Sequence, residues 1–297
     1  MPGSVFLQHL TNGLSLGSLF ALIAIGYTMV YTILSMINFA HGDIFMISLY
    51  FAFFTLSVFN MPWVLAFVCV AALTPIVGIL IERFAYRPLR DAPKNSVLIS
   101  AIGASFLLEN AATYLFGGRP KVLPDIPLLS RVISIHSVNF QVVSIVIPIL
   151  TFAILIALIN FINHTKTGIA MRAVAKDHEI ARVMGVNINR IISLTFIIGS
   201  SLAAVGGFMW GTRYPGITPM MGVMPGLKCF VAAVVGGIGD IKGAVMGGFI
   251  LGLGEILIVA LFPNISGYRD AFAFILLIII LLVKPTGILG SKAREKV

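Results

Sequence analysis

Charged side chains are scarce in this chain, and acidic ones are scarcer than basic ones. Only 10% of the 297 residues are charged, 11 of them acidic and 20 basic, whereas 59% are hydrophobic. An average soluble domain carries roughly 25% charged residues. A water-exposed surface of ordinary polarity is therefore excluded, and the composition indicates an integral membrane protein.

Cysteine pairs and the usual catalytic motifs are also lacking. Cys69 and Cys229 both fall in apolar segments, where they are typical of packed apolar side chains rather than of a disulfide. There is no GxxxxGK(S/T) phosphate loop, no HExxH metal motif and no DxxxD pair in a loop. These absences argue against an ATPase and against a membrane enzyme acting on lipid-linked substrates. We expect no metal, no cofactor and no nucleic-acid partner.

Long apolar runs make up most of the chain. Their approximate bounds are Leu14–Leu34, Asp43–Phe59, Pro62–Ile81, Val97–Phe116, Gln141–Ile162, Ile191–Met209, Leu227–Val235, Gly243–Phe262 and Ala271–Val283. Because backbone groups in lipid must bond within their own segment, we predict an all-α, polytopic transmembrane bundle. It should contain about eight apolar segments, some of them interrupted. The run Leu227–Val235 is too short to span and predicts a half-helix.

Most basic residues collect in three polar regions, 82–96, 163–190 and 284–297. Short cytoplasmic loops are enriched in Lys and Arg, so we expect all three regions to be cytoplasmic. The N-terminus and loop 117–140 are then predicted to face outside.

The region between the fifth and sixth runs predicts a short helix over residues 172–184, followed by Gly185 as a stop. Four charged residues are spaced to share one face of this helix. They are Arg172, Lys176, Glu179 and Arg182. Three interpretations are open: a helix on the lipid surface, a passive connector, or a docking element for a cytosolic subunit. The helix lacks the Trp, Phe and Leu typical of a lipid anchor, which weakens the first.

Two interruptions of the apolar pattern contain a glycine followed by an aspartate. They are His41-Gly42-Asp43-Ile44 and Ile238-Gly239-Asp240-Ile241. Capping of the following helix would account for both aspartates. Broken helices at membrane depth are also tolerated where they line a cavity, so the alternative is that the breaks shape a solute path. Asn38 and His41 would then offer polar contacts.

Glu109 and Glu255 lie within predicted spans. A carboxylate inside a membrane is costly and indicates a function by default. A proton relay and polar contacts between helices or subunits are the two interpretations, and we favour the second.

Four motifs occur in a fixed order along the chain. They are Asn38–Asp43, Thr167–Asp177 with its continuation to Asn187, Gly236–Gly239 with its continuation to Gly248, and Lys284–Gly290. Together they resemble the permease subunits of branched-chain amino acid ABC importers (the LivH type), over nearly the whole chain. The resemblance implies a non-catalytic subunit of the bacterial inner membrane that carries branched-chain amino acids or related small polar solutes.

The resemblance also implies partners. In that family two related permease subunits form the pore, two cytosolic ATPases drive it, and an extracytoplasmic binding protein delivers the solute. This chain would pair with a related subunit or with a copy of itself, and lipid would surround it. Loops 117–140 and 210–226 are candidate surfaces for the binding protein, or else an ordered cap.

Site residues follow from the resemblance and from the breaks. The residues expected to couple to the ATPase are Arg172, Lys176, Asp177, Glu179, Ala181, Arg182 and Gly185. The residues expected along the translocation path are Asn38, His41, Gly42, Asp43, Gly236, Gly237, Gly239 and Asp240. The alternative function is a self-sufficient channel or ion-coupled secondary transporter. The broken helices and Glu109 would suit it, but loop 163–190 would then have no evident role.

Overall fold

The computed structural model describes residues 3–90, 92–135 and 138–290. Within these residues eight helices are long and apolar enough to cross a membrane, and the β-structure is limited to two short antiparallel pairs. The predicted all-α polytopic bundle is confirmed. The predicted tail 284–297 can be followed only to Gly290. Its remaining residues, like residues 136 and 137 of the predicted loop 117–140, lie outside the described residues.

The helices follow one another with short connections. In chain order they are α1 (Gly3–Leu34), α2 (His41–Phe53), α3 (Trp63–Ile81), α4 (Lys94–Phe116), α5 (Pro127–Ser130), α6 (Val142–His164), α7 (Lys166–Lys176), α8 (His178–Val183), α9 (Ile188–Arg213), α10 (Val223–Gly236), α11 (Ile241–Leu261) and α12 (Arg269–Val283). Wider π-helical turns extend α2 through Phe54–Val58 and α3 through Glu82–Tyr86, and 3₁₀ turns lie at Arg87–Leu89 and Pro263–Tyr268. Strand β1 (Lys121–Val122) pairs with β4 (Gly216–Ile217), and β2 (Val132–Ile135) pairs with β3 (Val138–Gln141).

The predicted apolar runs correspond to helices with somewhat different bounds. The largest difference is at the start, where α1 begins at Gly3 rather than at Leu14. The predicted half-helix is α10, which is too short to span and stops at the turn that begins with Gly237.

The bundle has two chemically different ends. At the first, which we call the basic end, α1 and α6 finish and α7 and α8 lie against them. The ring of His178 is 2.9 Å from the carbonyl oxygen of Ile33 there. At the second, which we call the hairpin end, Arg213 donates to the side chain of Asn12 over 2.7 Å, and the β-pairs close the connections around residues 117–141 and 214–222.

Helix α1 forms the centre of the bundle and is buried from Ser15 to Val30. Helices α6, α9, α10 and α11 pack around it, which suits a helix that is apolar on all sides. The backbones of α1 and α11 approach so closely that a Cβ on Gly252 would overlap the backbone of Gly17. In lipid the hydrophobic effect does not drive helices together. Small residues at such crossings instead let the backbones come close enough for van der Waals packing to hold the helices together.

We expect Gly252→Ala to destabilise the protein, because its methyl group has no space against Gly17. Overpacking of this kind costs about 1–3 kcal/mol. The matched control is Gly103→Ala on α4, where an added Cβ meets no neighbouring atom. That substitution should be neutral, or stabilising by up to about 1 kcal/mol because alanine favours helix. The measurement is the apparent melting temperature of both variants in one detergent. A similar melting temperature for the two would contradict the close packing of α1 on α11.

Candidate functional site

The predicted helix 172–184 is two helices, and the break falls at Asp177. Its backbone is extended, with φ −158° and ψ 116°, and its carboxylate accepts hydrogen bonds from the N–H groups of Glu179 and Ile180. An aspartate that satisfies free N–H groups in this way starts a new helix. The prediction of one shared charged face is therefore wrong, since Arg172 and Lys176 lie on α7, whereas Glu179 and Arg182 lie on α8. Gly185, with φ +82°, follows the end of α8 as expected.

Helices α7 and α8 bury one side and expose the other. Met171, Val174 and Ala181 pack into the bundle, so Ala181 is not available at the surface. The four charged residues are exposed, and beside them stand Ile180, Val183 and Met184, which are 64%, 87% and 77% exposed. Exposed apolar residues of this size next to charges are typical of an interaction surface. We call Arg172, Lys176, Glu179, Ile180, Arg182, Val183 and Met184 the coupling surface, after the role that the sequence predicts for this region.

The coupling surface is anchored to the ends of two membrane helices. His178, at the first position of α8, donates to the carbonyl oxygen of Ile33 in the last turn of α1. Arg172 donates to the side chain of Asn163 at the end of α6 over 3.0 Å. Carbonyl groups in the last turn of a helix have no partner within it, so His178 satisfies a group that α1 leaves free.

The first break, residues 35–40, returns into the interior of the bundle. Asn38 is buried and accepts a hydrogen bond of 3.0 Å from the hydroxyl of Tyr86. His41 is buried edge-on against Tyr27, with 4.7 Å between ring centroids. Gly42 lies against the backbones of Gly222 and Gly226, where any side chain would overlap them. The start of α2 thus meets the start of α10 inside the bundle.

Asp43 does not cap a helix, so that interpretation is wrong for this residue. Helix α2 begins earlier, at His41, and its first turn has no side-chain cap. The Asp43 carboxylate instead accepts a hydrogen bond from Ser105 on α4. Asp43, Ser105 and Glu109 line a cavity of about 150 Å³ between α2, α4 and the first turn of α10. We call it the interior cavity.

The second break, residues 237–240, lies in a different part of the molecule. Gly237 and Gly239 adopt φ +114° and +100°, which favour glycine. Asp240 caps α11, since its carboxylate accepts from the N–H of Lys242 over 2.7 Å and from that of Gly243 over 3.2 Å. The turn faces α7 across a cavity of about 400 Å³ at the basic end.

The predicted translocation residues therefore form two groups that the structure does not bring together. Asn38, His41, Gly42 and Asp43 lie at or beside the interior cavity. Gly236, Gly237, Gly239 and Asp240 lie at the basic end. There the N–H groups of Ile288 and Leu289 donate to the carbonyl oxygens of Val235 and Gly236, so the fourth sequence motif closes the end of α10.

Glu255 lies in an ionic network that joins three helices. It is fully buried, 2.7 Å from Lys228 of α10 and 2.7 Å from Arg269 of α12. Lys228 also contacts Asp270 over 2.6 Å. This geometry places Glu255 in contacts between helices. Glu109, the other predicted carboxylate, lies at the interior cavity.

Sequence reasoning did not single out the cations of this network or a second buried carboxylate. Glu82 is buried and pairs with Arg90 over 2.9 Å, and it also accepts from Ser193 of α9. The partner of Lys228 could have been sought from the sequence, because a lysine inside an apolar run needs a charged partner as much as a carboxylate does. Arg269 and Asp270 could not have been predicted to take part, since they begin a helix, where charges are common.

Comparisons with known proteins agree over almost the whole chain. The family model described as "Branched-chain amino acid transport system / permease component" matches residues 9–281. The high-affinity branched-chain amino acid transport system permease protein LivH of Escherichia coli is 45% identical over 304 residues, with 98% of each chain covered. The corresponding protein BraD of Pseudomonas aeruginosa is 44% identical with the same coverage. A probable LivH of Methanocaldococcus jannaschii is 27% identical over 92% of this chain and 89% of its own length.

A solved structure supports the fold alone. PsaBC from Streptococcus pneumoniae, in complex with a Fab, superposes with a TM-score of 0.52 and 13% sequence identity. The match covers 94% of this chain and 92% of that one.

We expect Glu255→Gln to destabilise the bundle, because it removes the anion that Lys228 and Arg269 share. Breaking a buried ion pair from one side costs about 3–5 kcal/mol. Adding Lys228→Met should recover part of this loss, since it removes a buried cation whose remaining partner, Asp270, is 54% exposed. Asp270→Asn is the control, because that side chain is 54% exposed and its pair should contribute less than about 1 kcal/mol. Melting temperatures in detergent measure all three effects. Equal losses in Glu255→Gln and Asp270→Asn would contradict the network.

Proposed function

We propose, since the chain belongs to the permease-component family of branched-chain amino acid transport systems, that it forms the solute path of an ATP-driven importer for branched-chain amino acids. The observation that carries the proposal is the match of the whole chain to LivH of Escherichia coli at 45% identity, without a large unmatched segment in either. The protein acts as a non-catalytic subunit in the bacterial inner membrane. Its energy comes from separate ATPase subunits.

The two ends of the bundle have different partners in this proposal. The basic end faces the cytoplasm, in line with the concentration of Lys and Arg in regions 82–96 and 163–190. The hairpin end faces outside and meets a solute-binding protein. A second permease subunit, related or identical, covers the face of α4 that carries Leu107 and Tyr114, which are 69% and 89% exposed.

The coupling surface is proposed to seat in a groove of one ATPase subunit. Its exposed Ile180, Val183 and Met184 suit a groove with an apolar floor, and the charged residues around them suit a polar rim. Val174 is buried on the opposite side, and α7 packs against α1, α6 and α9, so we expect a displacement of α7 to move the ends of these helices.

We expect the double variant Arg172→Glu/Arg182→Glu to abolish coupling between ATP hydrolysis and transport. It reverses the charge on both helices of the coupling surface, and the hydrogen bonds that it removes, from Arg172 to Asn163, are exposed. In proteoliposomes with the second permease, the ATPases and the binding protein, the wild type should take up labelled leucine, isoleucine and valine only with ATP. The double variant should insert normally but take up solute about tenfold more slowly or not at all, as expected for the loss of an interface worth about 1.4 kcal/mol or more.

The matched control for this experiment is Arg83→Glu/Lys94→Glu, which makes the same change of charge at the same end of the bundle on exposed side chains. It should transport like the wild type. Wild-type uptake by the Arg172→Glu/Arg182→Glu variant would refute the docking role. Uptake by the permease without ATPases would instead favour a channel or an ion-coupled transporter.

His178 tests the link from the coupling surface to α1. His178→Ala removes the hydrogen-bond donor to Ile33, and an unpaired carbonyl group costs about 1–3 kcal/mol. We expect solute uptake to fall about tenfold while the ATPase is still stimulated by loaded binding protein. His178→Gln keeps a donor and should recover much of the uptake. His164→Ala, an exposed histidine at the same end, is the control. Equal uptake in the Ala and Gln variants would exclude this hydrogen bond from coupling.

A further inference from the structure

Four carboxylates are buried in the membrane part of the described chain, and they fall into two classes. Glu82 pairs with Arg90, and Glu255 pairs with Lys228 and Arg269. Asp43 and Glu109, which are 2% and 7% exposed, form no ion pair with any residue that the structure describes. A carboxylate held in the membrane without a cation is costly, and such residues persist where function needs them.

The two unpaired carboxylates share one place. Both line the interior cavity, together with the hydroxyl-bearing residues Tyr27 and Ser105. Asp43 is held in position by its hydrogen bond from Ser105. No described residue donates a hydrogen bond to the Glu109 carboxylate, although only 7% of the residue is exposed and it lines the cavity. Its oxygens are therefore available to accept hydrogen bonds from a ligand in the cavity.

The cavity matches a small organic cation better than a metal ion. Its volume is about 150 Å³, comparable to engineered cavities that hold a benzene-sized ligand. Apolar side chains form much of its wall, among them Ile102, Phe106 and Leu227. Calcium or magnesium would need about six oxygen ligands, which two carboxylates and a hydroxyl in an apolar wall do not offer. An ammonium group brings three N–H donors and an aliphatic chain suits the wall.

We infer that Asp43 and Glu109 form a subsite for the ammonium group of the solute as it passes through the membrane. The inference rests on the proposed function and adds to it which part of the solute these residues recognise. The aliphatic side chain of the solute lies against the apolar wall. A bound ammonium group offsets one of the two negative charges while the subsite is occupied, so the subsite favours solutes that carry a cationic group.

The position of the subsite fits passage rather than storage. It lies where the first break leads into α2, beside the first turn of α10, and Phe106 of its wall is 59% exposed. A solute that enters beside Phe106 meets the carboxylates without crossing the packed centre around α1.

Protection from thiol modification tests the chemistry of the subsite directly. The assembled transporter carries Phe106→Cys in a Cys69→Ser background, and the remaining Cys229 is fully buried. We expect 3-methylbutylamine, which is leucine without its carboxylate, to slow modification of the Phe106→Cys thiol. The acid 4-methylpentanoate, which lacks the amino group, should not. Adding Glu109→Gln should weaken the protection by the amine about tenfold, as expected when a charge-assisted hydrogen bond is lost.

Two outcomes of this experiment would overturn the inference. Equal protection by the acid and the amine would show that the cavity selects for the aliphatic chain alone. If the amine gave no protection, the carboxylates would not bind the ammonium group of the solute, and we would expect them to pair with a cation of another subunit. Neither outcome depends on transport, so the proposed importer function could still hold.

Uptake measurements provide the second test, and they separate a positioning or binding role from a structural one. Glu109→Gln should lower the maximal rate of leucine uptake about tenfold or more without changing the concentration of loaded binding protein that gives half the rate. Glu109→Asp should recover part of the rate because it keeps the charge. Thr113→Val, nearly isosteric and one turn along α4 outside the cavity, should behave as wild type. Wild-type uptake by the Glu109→Gln variant would contradict the subsite, whereas loss of uptake by the wild-type complex itself would count against the proposed function.

Discussion

The cost of an unpaired charge in a medium without water governs the arrangement of this bundle. Glu255 is fully buried because Lys228 and Arg269 reach it from two other helices, and Glu82 is buried because Arg90 reaches it. The pairs of Glu255 join α12 to α10 and α11. The Glu82–Arg90 pair lies within the turn after α3, and a hydrogen bond from Ser193 to Glu82 joins that turn to α9. The charge of each of these carboxylates is balanced by a cation of the same chain. Asp43 and Glu109 at the interior cavity have no such cation among the described residues. Because an unpaired carboxylate in the membrane is costly, we place a function there.

The same constraint acts on the backbone wherever a helix is interrupted. At the end of α10 the free carbonyl groups accept hydrogen bonds from Ile288 and Leu289, and Asp240 satisfies the free N–H groups at the start of α11. At the end of α1 the imidazole of His178 satisfies Ile33. Interruptions occur in this chain where another segment can complete the hydrogen bonds, which explains why one of them, residues 237–240, lies at the basic end against residues 286–290.

Composition and apolar length were sufficient to predict the helical bundle, its segments and the half-helix α10, because lipid leaves the backbone few choices. They were insufficient at the aspartates. Gly42-Asp43-Ile44 and Gly239-Asp240-Ile241 look alike, yet only Asp240 caps a helix. The difference arises from tertiary packing, since Gly42 must fit between the backbones of Gly222 and Gly226, and this contact sets where α2 begins. The split at Asp177 was a local effect, and the preference of aspartate for a helix start could have predicted it. The partners of Glu255 could not be predicted, because α10, α11 and α12 meet only in the folded state.

The segment between Ile33 and Asp43 is what connects the coupling surface to the interior cavity. Its first residue is held by His178 of α8, and Asn38 in its middle is held by Tyr86. Tyr86 in turn follows Glu82, which is bonded through Arg90 and Ser193 to the start of α9, where region 163–190 re-enters the bundle. His178 of α8 thus contacts the last turn of α1 just before the break, and the start of α9 is linked to the break through Arg90, Glu82 and Tyr86. Coupling between distant sites needs an element with two arrangements that both sites can bias. Residues 35–40, without regular structure and beside a cavity of about 660 Å³ lined by Met36, Tyr86 and His178, have the contacts and the space to be that element.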